Sequence, residues 1–164
     1  MHKLMIGVMG PGEEATERIV LAAHELGKRL AHEGWIVLSG GRDARVMDAV
    51  SRGARSVGGI TVGILPESDK RHASQAVEIA IVTGMGSARN NINILSSDFV
   101  VAVGMGVGTA SEVALALKAG RPVVLLECPE EGVKFFQKLA PQTVVIAKSP
   151  EEVVGIIKRA HRHQ

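Results

Sequence analysis

Residues 98–118 read "DFVVAVGMGVGTASEVALALK". An apolar run, Phe99 to Val103, passes through Gly104, Gly106 and Gly108 into a segment where Val113, Ala114 and Leu117 return at helical spacing. An apolar run without polar–apolar alternation fits a strand covered on both faces, as in a parallel sheet. Glycines at its exit let the backbone reach positive φ and approach a ligand closely. The helix that follows offers free N–H groups and the positive end of its dipole, which favours phosphate. The stretch therefore reads as strand, glycine-rich corner and helix, a candidate anion cradle. Thr109 is a natural N-cap, and Thr109-Ala-Ser-Glu112 has the pattern of a capping box. Glu112 is open to two readings: it caps the helix, or it works on a ligand.

The same alternation extends in both directions. Apolar runs recur at 4–9, 35–39, 60–65, 78–82, 98–103, 122–126 and 143–147. Helical spacing fills the gaps. Ile19, Ala22, Ala23, Leu26 and Leu30 share a face in 13–33, and Val46, Met47, Val50 and Ala54 share one in 44–57. The last helix, 150–162, opens with Ser149 as N-cap, Pro150 at the first position and an acidic first turn. Segment 127–142 is expected to be a loop with one short helix, and the tail His161-Arg-His-Gln164 to fray without a metal role. The expectation is a doubly wound α/β fold in one domain, 1–164: a mostly parallel sheet of about seven strands flanked by helices, Rossmann-like.

Composition bounds the rest. Of 164 residues, 46% are hydrophobic, so the chain can bury a core; with one Trp, three Phe and no Tyr, that core is aliphatic. Nineteen basic and 17 acidic residues give a net charge of +2, too balanced for a nucleic-acid footprint. One cysteine, Cys128, cannot form an internal disulfide and has no zinc-site neighbours. With no signal-peptide pattern and no membrane-spanning run, a reducing cytoplasm is the expected compartment, with no membrane partner.

In such folds ligands sit beyond the carboxyl ends of the strands. The loops there are Gly10-Pro11-Gly12, the Gly40-Gly41-Arg42-Asp43-Ala44-Arg45 turn, Met85-Gly86-Ser87-Ala88-Arg89-Asn90, and Gly104-Met105-Gly106-Val107-Gly108-Thr109. Arg42 and Arg45 oppose the dipole of the helix they precede, which a bound anion would explain; the alternative is two solvated arginines, one paired with Asp43. Arg89 is either a ligand clamp or half of a surface ion pair. Met85 and Met105 either flank a flat ligand or pack under the loops. No P-loop, zincin, nucleophile-elbow or CxxC pattern occurs, and Gly104-x-Gly106-x-Gly108 is not the dinucleotide fingerprint.

In combination, "LSGGRDARVMDAVSRGA", "GGITVGILP" and "TGMGSARNNINILSSDFVVAVGMGVGTASEVALALKAGRPVVLL" resemble the lysine-decarboxylase-like, or SLOG-type, Rossmann superfamily over residues 3–126. Two of its branches are similar to this chain. One comprises the LOG-type nucleotide 5′-monophosphate phosphoribohydrolases, which release a free base and ribose 5-phosphate. That resemblance makes Glu112 the acid/base group and Arg89 the phosphate or ribose clamp. Their signature has Pro-Gly where Gly104-Met105 stand here. The other branch comprises molybdenum cofactor carrier proteins, and "ARNNINILSSD" and "GMGVGTASEVALALKAGRPV" follow it almost continuously. This second resemblance implies a carrier that binds and protects a phosphate-bearing molybdopterin without turnover. The cofactor would be held by Gly10, Pro11, Gly40, Gly41, Arg42, Arg45, Met85, Gly86, Arg89, Asn90, Gly104, Met105, Gly106, Val107, Gly108, Thr109 and Glu112. It further implies a homo-oligomer, dimer or tetramer, and molybdoenzymes or cofactor-biosynthesis proteins as partners, with no protein-ligated metal. Nucleic acid is not expected: besides the balanced charge, stacking aromatics are missing.

Overall fold

The computed structural model describes residues 3–162. The end of the tail expected to fray, His163 and Gln164, lies outside them. β1 (Met5–Met9), α1 (Glu17–His32), β2 (Ile36–Ser39), α2 (Arg45–Arg55), β3 (Thr61–Leu65) and β4 (Ile79–Val82) form the first half of the fold. A single 3-10 turn at Gly86–Ala88 leads into α3 (Arg89–Leu95) and β5 (Phe99–Val103). Then come α4 (Val107–Lys118), β6 (Val123–Leu126), α5 (Glu130–Leu139), β7 (Val144–Ala147) and α6 (Pro150–His161).

All seven strands pair in parallel, in the order β4-β3-β2-β1-β5-β6-β7. The apolar runs dictate this. Every residue of β5 is buried, and successive side chains serve opposite layers. Val101 and Val103 join Ile6 and Val8 against α1, α2 and α6. Val100 and Ala102 join Leu38 and Leu125 against α3, α4 and α5. Each valine buried this way is worth about 1.5–3 kcal/mol, which only a two-sided cover supplies. On the first layer α1 and α2 meet closely: a Cβ built on Gly53 would fall 1.9 Å from the His24 carbonyl oxygen.

After β1 the chain winds towards one edge of the sheet, and after β5 towards the other. Their adjacent carboxyl ends form the topological switch point, where such sheets leave a crevice.

Two expectations need correction. Strand and helix do not alternate throughout, because β3 and β4 are joined by a loop without a helix. The stretch "PESDKRHASQ" offers too few apolar residues at helical spacing to cover the sheet. It folds back instead on the end of β2: Asp43 N donates to His72 O (2.8 Å) and Ser74 N to Gly41 O (2.9 Å). Secondly, α1 begins at Glu17, not at 13, because Thr16 caps it and accepts from Ile19 N at 3.4 Å. Residues 10–16 are thereby released as loop. Ser149 caps α6 as expected, accepting from Glu152 N at 3.2 Å. Among the described residues no helix is long and apolar enough to cross a membrane.

Candidate functional site

A cavity of about 720 Å³ opens at the switch point. Its walls come from the loops after five strands. Gly10 to Glu14 follow β1, Gly40, Arg42 and Asp43 follow β2, and Pro66, Arg71 and His72 follow β3. Gly86, Ser87, Arg89 and Asn90 follow β4, and Gly106 to Thr109 with Glu112 follow β5.

The wall after β5 corrects the reading of its sequence. α4 begins at Val107, with Gly106 as its N-cap, so Thr109 lies inside the helix and does not cap it. No side chain caps α4, and its first turn carries no acidic residue. The capping box expected at Thr109-Ala-Ser-Glu112 is therefore absent. The cause is that Gly106 takes the extended backbone of an N-cap (φ −138°, ψ 179°), which starts the helix earlier. Val107, Gly108 and Thr109, whose first-turn amides no side chain caps, line the cavity. Thr109, 2% exposed, lines the same wall, and its Oγ1 has no hydrogen-bond partner.

Glu112, freed from capping, is buried at 6% exposure and accepts a hydrogen bond from Asn93 Nδ2 at 3.0 Å. Arg89, 8% exposed, places Nη1 3.7 Å from Glu112 Oε1 and donates to Asn90 Oδ1 at 3.1 Å. Burial pushes the Glu112 carboxyl upward; the Asn93 hydrogen bond and the Arg89 charge pull it back only in part. Burial likewise pulls Arg89 downward, against the attraction of Glu112 and Glu67. A guanidinium does not give up its proton in a protein, so Glu112 is the group that yields and Arg89 remains a cation. Its Nε is buried without a partner.

Gly40 makes room for this guanidinium. A Cβ there would lie 2.7 and 2.8 Å from the two terminal nitrogens of Arg89. Arg42 pairs with Glu67 at 3.0 Å rather than with Asp43. Arg71 and Arg89 line the walls with Arg42, as do Glu13, Glu14 and Asp43, and Arg71 pairs with Asp69 at 2.8 Å.

Of the residues singled out in the sequence, Gly10, Pro11, Gly40, Arg42, Gly86, Arg89 and Asn90 line the cavity together with Gly106, Val107, Gly108, Thr109 and Glu112. Five others lie outside its walls. Gly41 (φ +76°) backs onto Gly63, where a Cβ would come 2.8 Å from Gly63 Cα. Arg45, at φ +28°, turns to Ala15 O (2.7 Å) and Glu17 Oε1 (2.8 Å). Met85 is half exposed outside the cavity. Gly104 packs behind Pro11 and Ile19, and Met105 packs beneath α5 beside Gly132.

Sequence reading missed Glu13, Glu14, Met47, Arg71 and His72 as wall residues. The signal for the first two was present in Thr16-Glu17-Arg18-Ile19, a helix start that leaves the preceding acids in a loop. Nothing local marks Arg71 and His72, which arrive by the fold-back of the β3–β4 loop.

The family model described as the SLOG cluster4 family matches residues 3–154. The structure is similar to that of the molybdenum cofactor binding protein from the phototrophic bacterium Rippkaea orientalis. That likeness has a TM-score of 0.95 and 51% identity, covering 98% of each chain. It is also similar to the Moco carrier protein of Chlamydomonas reinhardtii, with a TM-score of 0.94, 49% identity, and coverage of 99% of this chain and 100% of that one. A more distant relative is a cytokinin riboside 5'-monophosphate phosphoribohydrolase of Mycobacterium tuberculosis. It is 33% identical over 120 residues, which is 68% of this chain and 64% of that protein.

Proposed function

The chain belongs to the SLOG cluster4 family, and from that premise we propose that it binds, protects and carries the molybdenum cofactor without turning it over. The observation that carries this reading is a likeness, over nearly the whole chain and near 50% identity, to two proteins described as binding or carrying that cofactor. The cargo is a pterin bearing a phosphate at one end and an oxyanionic molybdenum centre at the other. A cavity of about 720 Å³ lies within the range of roughly 300–1,000 Å³ usual for small-molecule sites.

The residues fit such a cargo. The uncapped N-terminus of α4 offers amide donors to a phosphate. Arg42 and Arg89 offer charge to the anionic metal end. Gly41, Gly104 and Met105 back these walls, Arg45 ties the loop before α1 through Ala15 O and Glu17, and Met85 stands half exposed beside them. A homo-oligomer in the cytoplasm belongs to the same proposal. The edge strand β4 supports it, since Ile79 and Ile81 are 49% and 44% exposed and a subunit contact would cover them. Molybdoenzymes or cofactor-biosynthesis proteins are the partners that would receive or supply the cargo.

The test mixes the purified protein with released cofactor and follows its oxidative loss, then asks whether the mixture activates an apo molybdoenzyme. Slower loss and transfer of activity are expected. A rate equal to that with an inert protein refutes the proposal. One observation favours a second reading as a phosphoribohydrolase: the buried Arg89–Glu112 pair, with its upward-shifted carboxyl, stands on the cavity wall. Release of ribose 5-phosphate from nucleoside monophosphates, lost in Glu112→Gln, would establish it; no release across the common nucleotides removes it.

A further inference from the structure

We infer that Glu14 is a specificity-determining residue of the anion cradle, admitting an anion that keeps an acidic proton and turning away one that has none. The inference rests on the reading that the α4 N-terminus takes the phosphate of the cargo. Glu14 belongs to the loop released when Thr16 caps α1, and it lines the cavity opposite Gly106–Thr109. Its Oε1 lies 3.8 Å from where a Cβ on Gly106 would stand. An N-cap side chain would start from that point and reach back to the first-turn amides. Gly106 supplies no such side chain, and α4 has no acid in its first turn. Glu14 therefore brings a carboxylate from another element close to the vacant capping position without bonding the first-turn amides. Among the described residues it has no ion-pair or hydrogen-bond partner, so nothing else fixes it there.

Two buried residues of the same cavity walls point to a ligand as well: Thr109, 2% exposed, and Arg89, 8% exposed, each keep a polar atom without a partner, Oγ1 and Nε. A group seated there meets donors on one side and an acceptor on the other. Ionised carboxylate oxygens only accept, so the ligand must turn a hydrogen towards Glu14. A phosphate or phosphomonoester that retains one proton does so. Sulfate carries equal geometry and no proton, and meets like charge instead.

The experiment follows the Val107, Gly108 and Thr109 amides by ¹H–¹⁵N NMR while inorganic phosphate or sulfate is added. It uses the full chain at about pH 6, where phosphate groups still hold a proton. In the wild type, phosphate should bind about tenfold tighter than sulfate. In Glu14→Gln, sulfate should gain about tenfold and the preference collapse. Glu14→Ala must lose the preference as well, which guards against a peculiarity of the amide. The same preference in all three proteins, equal affinities in the wild type, or no response of these amides overturns the inference. Since no cofactor enters the titration, failure here leaves the carrier proposal standing, and failed cofactor protection with intact discrimination sinks the carrier proposal alone.

Discussion

Gly40→Ala separates the work of the site from the work of the fold. Gly40 does not have a positive φ, so the backbone accepts alanine. The new methyl would lie 2.6 Å from Met47 Sδ and 2.7 and 2.8 Å from the terminal nitrogens of Arg89. Ordinary contact begins about 0.7 Å further out. All three atoms end flexible side chains, so they can retreat, and overpacking of this kind costs about 1 kcal/mol. The retreat moves the guanidinium off its 3.1 Å bond to Asn90 and its 3.7 Å approach to Glu112. A charged hydrogen bond to the cargo is worth about 1.5–3 kcal/mol, so a misplaced guanidinium should weaken binding by ten- to a hundredfold. Urea unfolding measures the first quantity and the half-life of protected cofactor the second. A small shift in midpoint with a large loss of protection is expected. Protection equal to wild type, or a stability loss above about 3 kcal/mol, would refute the assignment of Arg89.

Three further outcomes follow from other parts of the structure. Glu112 holds its proton to higher pH when folded than when unfolded, so between those two values the native state binds more protons and stability falls as pH rises. Glu112→Gln should flatten that fall in urea midpoints taken from about pH 4 to about pH 8; identical slopes would contradict it. Gly53→Ala drives a methyl to within 1.9 Å of the His24 carbonyl, which is backbone and cannot step aside. It should cost about 3 kcal/mol, read from the urea midpoint, and an unchanged midpoint would show that α1 and α2 sit further apart than described. The Cys128 thiol is pushed up to about 11 by burial, outweighing its bonds to Leu126 and Gly104 carbonyls. Iodoacetamide labelling at about pH 8 should be on the order of a hundredfold slower than for a free cysteine, and urea should restore the ordinary rate.

The sheet was legible because its strands are buried on both faces, which demands unbroken apolar runs such as Phe99–Val103, and burial is a local statement. The α6 cap was legible for the same reason: Ser149, Pro150 and Glu152 act on one another within a single turn. Thr109-Ala-Ser-Glu112 shows where locality fails. It has the letters of a cap, but Gly106 starts the helix earlier and Asn93 and Arg89 claim the carboxylate from another element. Arg45 fails likewise, because its partners are Ala15, in the loop before α1, and Glu17, the first residue of α1, and both positions depend on where that helix begins. Arg71 and His72 entered the site through hydrogen bonds between the β3–β4 loop and the Gly41–Asp43 turn, a pairing with no signature in either segment.

The five segments that wall the cavity leave the sheet at the ends of five different strands. Each is anchored by its own strand, so a change of length or composition in one does not propagate through the strand register of the others. The loop from Gly12 to Glu14 is the most replaceable: a Cβ on Gly12 would touch nothing within 4 Å, and Glu13 and Glu14 are exposed. The scaffold thus works as a chassis with an exchangeable fitting at that loop, which can change while the apolar runs that build the frame stay as they are.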